Sequence, residues 1–153
     1  MDEIYDGRSV VQQDLEKTIV EWLKQELHAD DLESNVSLPL PQHPEVSIRP
    51  DFYSEAHKII GEIHAHLGKL KSAQRYKVAA DIMKLHLFDP EQKYQKYYVV
   101  CSGAEWDLLH GKSYLAAAVK QFGIKPMKYE PDDAERAALE DAMRKQNMFR
   151  EKK

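Results

Sequence analysis

The stretch KIIGEIHAHL, residues 58–67, decides how this chain is read. Side chains alternate between the two faces of a β-strand. Here Ile59, Gly61, Ile63, Ala65 and Leu67 make one face wholly apolar or small, and Lys58, Ile60, Glu62, His64 and His66 make the other. The segment therefore reads as a strand whose apolar side lies on a core.

Working outward, EVSIRPDFY (45–53) sets Val46, Ile48 and Pro50 against Ser47, Arg49 and Asp51, and reads as a neighbouring strand that carries Pro50-Asp51 near its end. Before it, the three prolines of SLPLPQHPE allow an edge strand or an extended loop but not a central strand. Val11, Leu15, Ile19, Trp22, Leu23 and Leu27 recur at helical spacing, which predicts an amphipathic helix from about Ser9 to His28, ended by ADDLESN. After the key strand, the basic connector GKLKS leads into a helix from about Ala73 to Phe88. It is apolar around much of its girth and is expected to be well buried.

YYVVC (97–101) is a continuous apolar run and suits an interior strand. After SGAEWDLLHGKS, a helix carrying YLAAAVKQF stops at Gly123, a C-cap glycine. IKPMKYE fits a short edge strand. Asp132 and Glu135 make a capping-box start for a last helix that frays into the basic tail FREKK. The expected order is α-β-β-β-α-β-α-β-α: an α/β fold with a mixed central sheet flanked by helices, in one domain over residues 1–153.

The bulk composition narrows the function classes. The chain has 153 residues, 42% hydrophobic and 31% charged, as in globular proteins with a sizeable core. Its apolar runs are far short of a bilayer span, and MDEIYD does not resemble a signal peptide. The single cysteine, Cys101, excludes an intramolecular disulfide and suits a reducing cytoplasm. A net charge of −4 argues against a passive nucleic-acid coat. The charge is uneven, however. Residues 1–35 hold ten acids against three bases, whereas Lys69, Lys71, Arg75, Lys77 and Lys84 face only Asp81 between Leu67 and Phe88. A local basic surface on a mildly acidic protein fits an enzyme that touches nucleic acid briefly.

The polar face of residues 58–67 has three readings. It is a solvated sheet face, a Zn²⁺, Fe²⁺ or Mn²⁺ site of Glu62, His64 and His66, or half of a nuclease centre. Imidazole and carboxylate ligands suit the metals of the second reading. Yet residues four apart on a strand lie roughly 13 Å apart at their backbones, so Glu62 and His66 would need strong local bending to share an ion. For the third reading, an antiparallel pairing of the two strands would bring Asp51 and Glu62 to one edge. Two carboxylates there are hard oxygen ligands for Mg²⁺ or Mn²⁺. Such a cation supplies the water activation and charge neutralisation of phosphodiester hydrolysis.

The order helix, strands, Pro50-Asp51, Glu62-Ile63-His64, then a helix whose first turns carry Gln74 and Lys77, resembles the PD-(D/E)XK nuclease superfamily. The likeness covers about residues 10–128 and rests on some six motif positions. It implies an αβββαβ restriction-endonuclease-like core and a Mg²⁺- or Mn²⁺-dependent nuclease, with DNA ranked ahead of RNA. Asp51 and Glu62 would hold the metal, helped by the Ile63 carbonyl and by an acid of the first helix, Glu16 ahead of Glu21. His64 would orient or deprotonate water, Gln74 and Lys77 would position the phosphate, and Lys69, Lys71 and Arg75 would meet the nucleic-acid backbone. The family pattern has lysine where this chain has His64, and Lys77 is a candidate to replace it. The alternative is a catalytically inactive relative that binds nucleic acid or a protein partner. A compact domain without a sequence-reading module is expected to act as a homodimer or with a partner.

Overall fold

The computed structural model describes residues 10–151, with side chains through residue 147. Ser9, the expected helix start, the charged residues of MDEIYDGR, and Lys152 and Lys153 of the basic tail lie outside the described residues.

Helix α1 (Val10–Glu26) buries Leu15, Ile19 and Leu23, one per turn, with Val20 beside them. Strands β1 (Leu38–Pro39) and β2 (Ser47–Ile48) pair antiparallel in a small sheet of their own, Leu38 opposite Ile48. The main sheet holds β3 (Phe52–Ser54), β4 (Ile59–His64), β5 (Gln95–Val100) and β6 (Ile124–Lys128) in the order β3-β4-β5-β6. The β3–β4 pair is antiparallel, and the β4–β5 and β5–β6 pairs are parallel. Parallel neighbours need crossovers. Helix α2 (Ser72–Phe88) makes the first, and α3 (Gly103–His110) with α4 (Tyr114–Gln121) makes the second. Helix α5 (Asp133–Glu151) follows.

Helices cover both sheet faces. Ile59, Ile63, Ala65, Tyr97 and Val99 pack with α1 and with Leu139 of α5. Ile60, Tyr98, Val100 and Ile124 pack with Val78, Ile82 and Leu85 of α2 and with Leu115 and Val119 of α4. Every residue of β4 is consequently buried. The strand does not present a half-exposed face, so Glu62 and His64 are polar groups inside a layered core. The structure is α/β with a mixed four-stranded sheet flanked by helices, as the sequence reading expects.

Four local differences have physical causes. EVSIRPDFY is two strands in two sheets. Pro50 has no N–H for a ladder, so β2 ends before it and β3 begins after Asp51. Lys58 lies in the β3–β4 turn with φ 53° and not on the face of β4. Helix α2 buries one stripe, not most of its girth, and Tyr76, Met83 and Leu87 are exposed. Helix α3, unforeseen within SGAEWDLLHGKS, starts where Ser102 Oγ accepts a hydrogen bond from the Glu105 N–H at 3.2 Å.

Other expectations match. Tyr97, Tyr98, Val99 and Val100 of YYVVC lie in interior strand β5, with Cys101 just past its end, and Pro126 sits in edge strand β6. Gly123 follows α4 with φ 68°. Asp132 and Glu135 exchange hydrogen bonds, Glu135 N–H to Asp132 Oδ1 (2.7 Å) and Asp132 N–H to Glu135 Oε1 (2.9 Å). Gly61 is required by packing: a Cβ there would come within 2.1 Å of Phe52 Cζ. Among the described residues, no helix is long and apolar enough to cross a membrane.

Candidate active site

The β3–β4 hairpin builds the site. Its register pairs Phe52 with Gly61, so one step further places Asp51 across from Glu62. Backbone bonds lock this end. The Asp51 N–H donates to the Gly61 carbonyl at 3.1 Å, and the Ile63 N–H donates to Asp51 Oδ2 at 2.7 Å. The aspartate is thus held by the strand that carries Glu62, and two carboxylates face each other without the chain having to bend.

Glu62 is 1% exposed. Lys84 Nζ, from α2, lies 3.1 Å from its Oε1 but off the line of a hydrogen bond, so that buried oxygen has no hydrogen-bond partner among the described residues. Burial first, then the neighbouring Asp51 carboxylate, push the Glu62 carboxyl well above the ordinary carboxylate range, and Lys84 only partly opposes them. Below Glu62, fully buried Asp81 accepts hydrogen bonds from Tyr98 (3.0 Å) and Lys77 (2.9 Å) and lies 3.4 Å from Lys84 Nζ. Burial lowers the affinity of Lys77 and Lys84 for their protons, but Asp81 and Glu62 outweigh it, and both ammonium groups titrate above their ordinary range.

His64 is fixed from both ends. Its Nδ1 meets Glu105 Oε2 in a short contact, and its Nε2 lies 3.2 Å from Gln74 Oε1. Glu105 is wholly buried in the first turn of α3, and its second oxygen has no hydrogen-bond partner among the described residues. A carboxylate behind a histidine fixes ring orientation and tautomer. His66 stacks on His64 with centroids 5.4 Å apart, and its Nε2 lies 3.1 Å from the Lys69 carbonyl oxygen. Burial moves His66 below the ordinary histidine range.

These groups open on one cleft of about 680 Å³. Asp51, Glu62, Glu16, His64, Gln74, Lys77, Lys69 and Lys71 all line it. Arg75 is exposed on α2 outside that lining. Of the two acids on α1, Glu16 is buried at the cleft, whereas Glu21 is exposed and pairs with Lys24 at 2.8 Å. His66, to which the nuclease reading gives no role, is a wall residue. The cleft also recruits Arg49, Lys84, Gln146 and Asn147, which the motif reading leaves out, and Glu105 stands behind it. Lys84 had a local signal, because it lies seven residues beyond Lys77 on the same side of α2. Glu105 had none, since it meets His64 across 41 positions of sequence.

Among the described residues, no group of three His, Cys, Asp or Glu side chains forms a ready metal cluster. Neither Glu62, His64 and His66 nor Asp51, Glu62 and Glu16 are gathered into such a cluster, and the His64 Nδ1 faces Glu105. The donors at hand are the facing Asp51 and Glu62 carboxylates, the orphaned Glu62 oxygen and buried Glu16 in the same cleft. This all-oxygen set fits a hard divalent cation. Compared with family models, curated proteins and solved structures, the chain matches none.

Proposed function

We propose that this chain is a Mg²⁺- or Mn²⁺-dependent nuclease that hydrolyses DNA phosphodiester bonds, with a core of the restriction-endonuclease-like, PD-(D/E)XK kind. The observation that carries the reading is the Asp51–Glu62 pair, held face to face by the β3–β4 register with the Lys84 ammonium 3.1 Å from Glu62. Asp51 and Glu62, with Glu16, would hold the cation. The cation supplies charge neutralisation at the phosphate and lowers the pKa of water.

The protein's own groups do the rest. Lys84 takes the place of the missing motif lysine: it brings a cation to Glu62 from the neighbouring helix, while Lys77 is held by Asp81. His64 orients the attacking water from its Nε2 side, and Glu105 keeps the ring in place from behind. Gln74, Lys69 and Lys71 position the phosphate. Buried groups that raise one another's energy, gathered in a cleft, favour a reactive site over a structural one.

The test is cleavage of plasmid, linear and single-stranded DNA, and of RNA, in Mg²⁺ or Mn²⁺. Asp51→Ala and Glu62→Ala are expected to abolish it, and Lys84→Ala to slow it by about 10²-fold or more. Glu105→Gln is expected to change the pH profile more than substrate binding. No cleavage by the parent protein under any of these conditions would leave the non-catalytic nucleic-acid- or protein-binding relative as the better reading.

A further inference from the structure

The cleft has two unlike walls above a buried floor. Glu62 is 1% exposed and Glu16 8%, so a scissile phosphate must descend to reach them. One wall carries the ammonium groups of Lys69, Lys71 and Lys77. The other is α5, which contributes Met143, Gln146 and Asn147. The side-chain amides of Gln146 and Asn147 have no hydrogen-bond partner among the described residues.

A volume of about 680 Å³ is that of a small-molecule pocket and accommodates a nucleotide unit or two, and carboxylates this deep are reached more readily by one strand than by two. In a duplex the Watson–Crick edges are already paired and only the groove edges stay open. In an unpaired strand the bases splay away from the phosphates and offer donors and acceptors. Phosphates on the lysine wall would turn such bases toward α5. There each amide presents one acceptor and two donor hydrogens, the complement of a free base edge. Met143 adds an apolar surface beside them. The path also continues: Leu67 and Lys69 line a second cavity of about 300 Å³ that contains Lys128 and Arg136. These two cations share a single carboxylate, Glu130, at 3.0 and 3.8 Å, so they leave positive charge for a further phosphate.

We propose that the cleft takes an unpaired strand of DNA, with its phosphates along Lys69, Lys71 and Lys77 and a base read by Gln146 and Asn147. This rests on the nuclease reading of the same site and specifies the substrate class.

The test uses the whole chain and a fluorescent 12-nucleotide DNA, single-stranded or annealed as a blunt duplex, with binding followed by anisotropy in EDTA. The single strand is expected to bind at least tenfold more tightly. A Gln146→Ala, Asn147→Ala double variant is expected to lose most of that preference at an unchanged melting temperature. In Mg²⁺ or Mn²⁺, single strands and single-stranded flaps are expected to be cut and covalently closed plasmid spared. Equal or tighter binding of the duplex, or plasmid cut as fast as single strand, overturns this inference and leaves the nuclease reading standing. A double variant that binds like the parent overturns the placement of the base. Preference for single-stranded RNA overturns the DNA assignment. Strand-selective binding without cleavage of any substrate overturns the nuclease reading and supports the unpaired-strand site. Binding of neither form, together with no cleavage in Mg²⁺ or Mn²⁺, overturns both.

Discussion

Two buried charge clusters lie along α2, and they differ in how completely they are satisfied. At the helix's C-terminal end, Asp89 accepts hydrogen bonds from the Lys93 N–H (2.7 Å), the Tyr94 N–H (2.9 Å) and the fully buried Lys96 ammonium (2.7 Å). Lys96 also donates to the Asp89 carbonyl at 3.3 Å. At the cleft, Glu62 and Glu105 each keep one oxygen without a hydrogen bond among the described residues, Lys84 Nζ standing 3.1 Å from that of Glu62, and the Asp51 and Glu62 carboxyls are set side by side. Burying an unmet polar group is costly, and most are met. The first cluster therefore reads as structural glue that ties the end of α2 to the start of β5. The second is less completely met, and the proposed cation would complete it.

The contrast can be broken most forcefully at the satisfied end. Lys96→Met leaves Asp89 buried without its cation, and a loss of about 3 kcal/mol is expected in urea unfolding. The candidate cleft is expected to keep the divalent-cation binding proposed for it in any fraction that remains folded. A smaller loss follows from crowding the hairpin. Gly61→Ala must displace the Phe52 ring, with an expected cost of about 1–3 kcal/mol and a shift of Asp51 against Glu62. Thermal melting combined with cation titration would measure both.

At the unsatisfied end the sign reverses. Glu62 is held above the ordinary carboxylate range, so the folded protein keeps a proton that the unfolded chain releases. Its contribution to stability is whole in acid and is lost as pH rises through the raised value. Glu62→Gln removes that loss. The variant is expected to be more stable than the parent by about 1–2 kcal/mol at alkaline pH in chelator, with the difference vanishing toward pH 4. Melting curves across that range check it. Mg²⁺ or Mn²⁺ should stabilise the parent and not the variant, increasingly so at higher pH, because the proton must leave for the cation to bind. The smallest effect belongs to neither cluster. Asp132→Ala removes the exposed capping box of α5 and should cost about 1 kcal/mol without altering either pH profile.

Much of this was legible in order and period. Alternation in residues 59–64, the apolar run 97–100 and the helical spacing of α1 predict their elements because each pattern carries the period of its element, although both faces of β4 meet a core. Asp51 and Glu62 were legible as a pair because an antiparallel hairpin of short span leaves few other registers. Helix α3 was not legible, since SGAEWDLLHGKS carries no clear periodic stripe. The break at Pro50 was written in the sequence but outweighed by the alternation on either side of it.

The sequence by itself determined an α/β order of elements and brought two carboxylates, a histidine and a basic helix into one neighbourhood. Short-range geometry fixes those, through strand period, hairpin register and helix period. Only the tertiary structure decided what surrounds them. The helices on both faces of the sheet turned Glu62 and His64 from surface groups into buried ones, and burial is what raises the Glu62 carboxyl. Glu105 reached His64, Lys84 reached Glu62, and α5 supplied the amide wall, because packing joins residues that no local period relates.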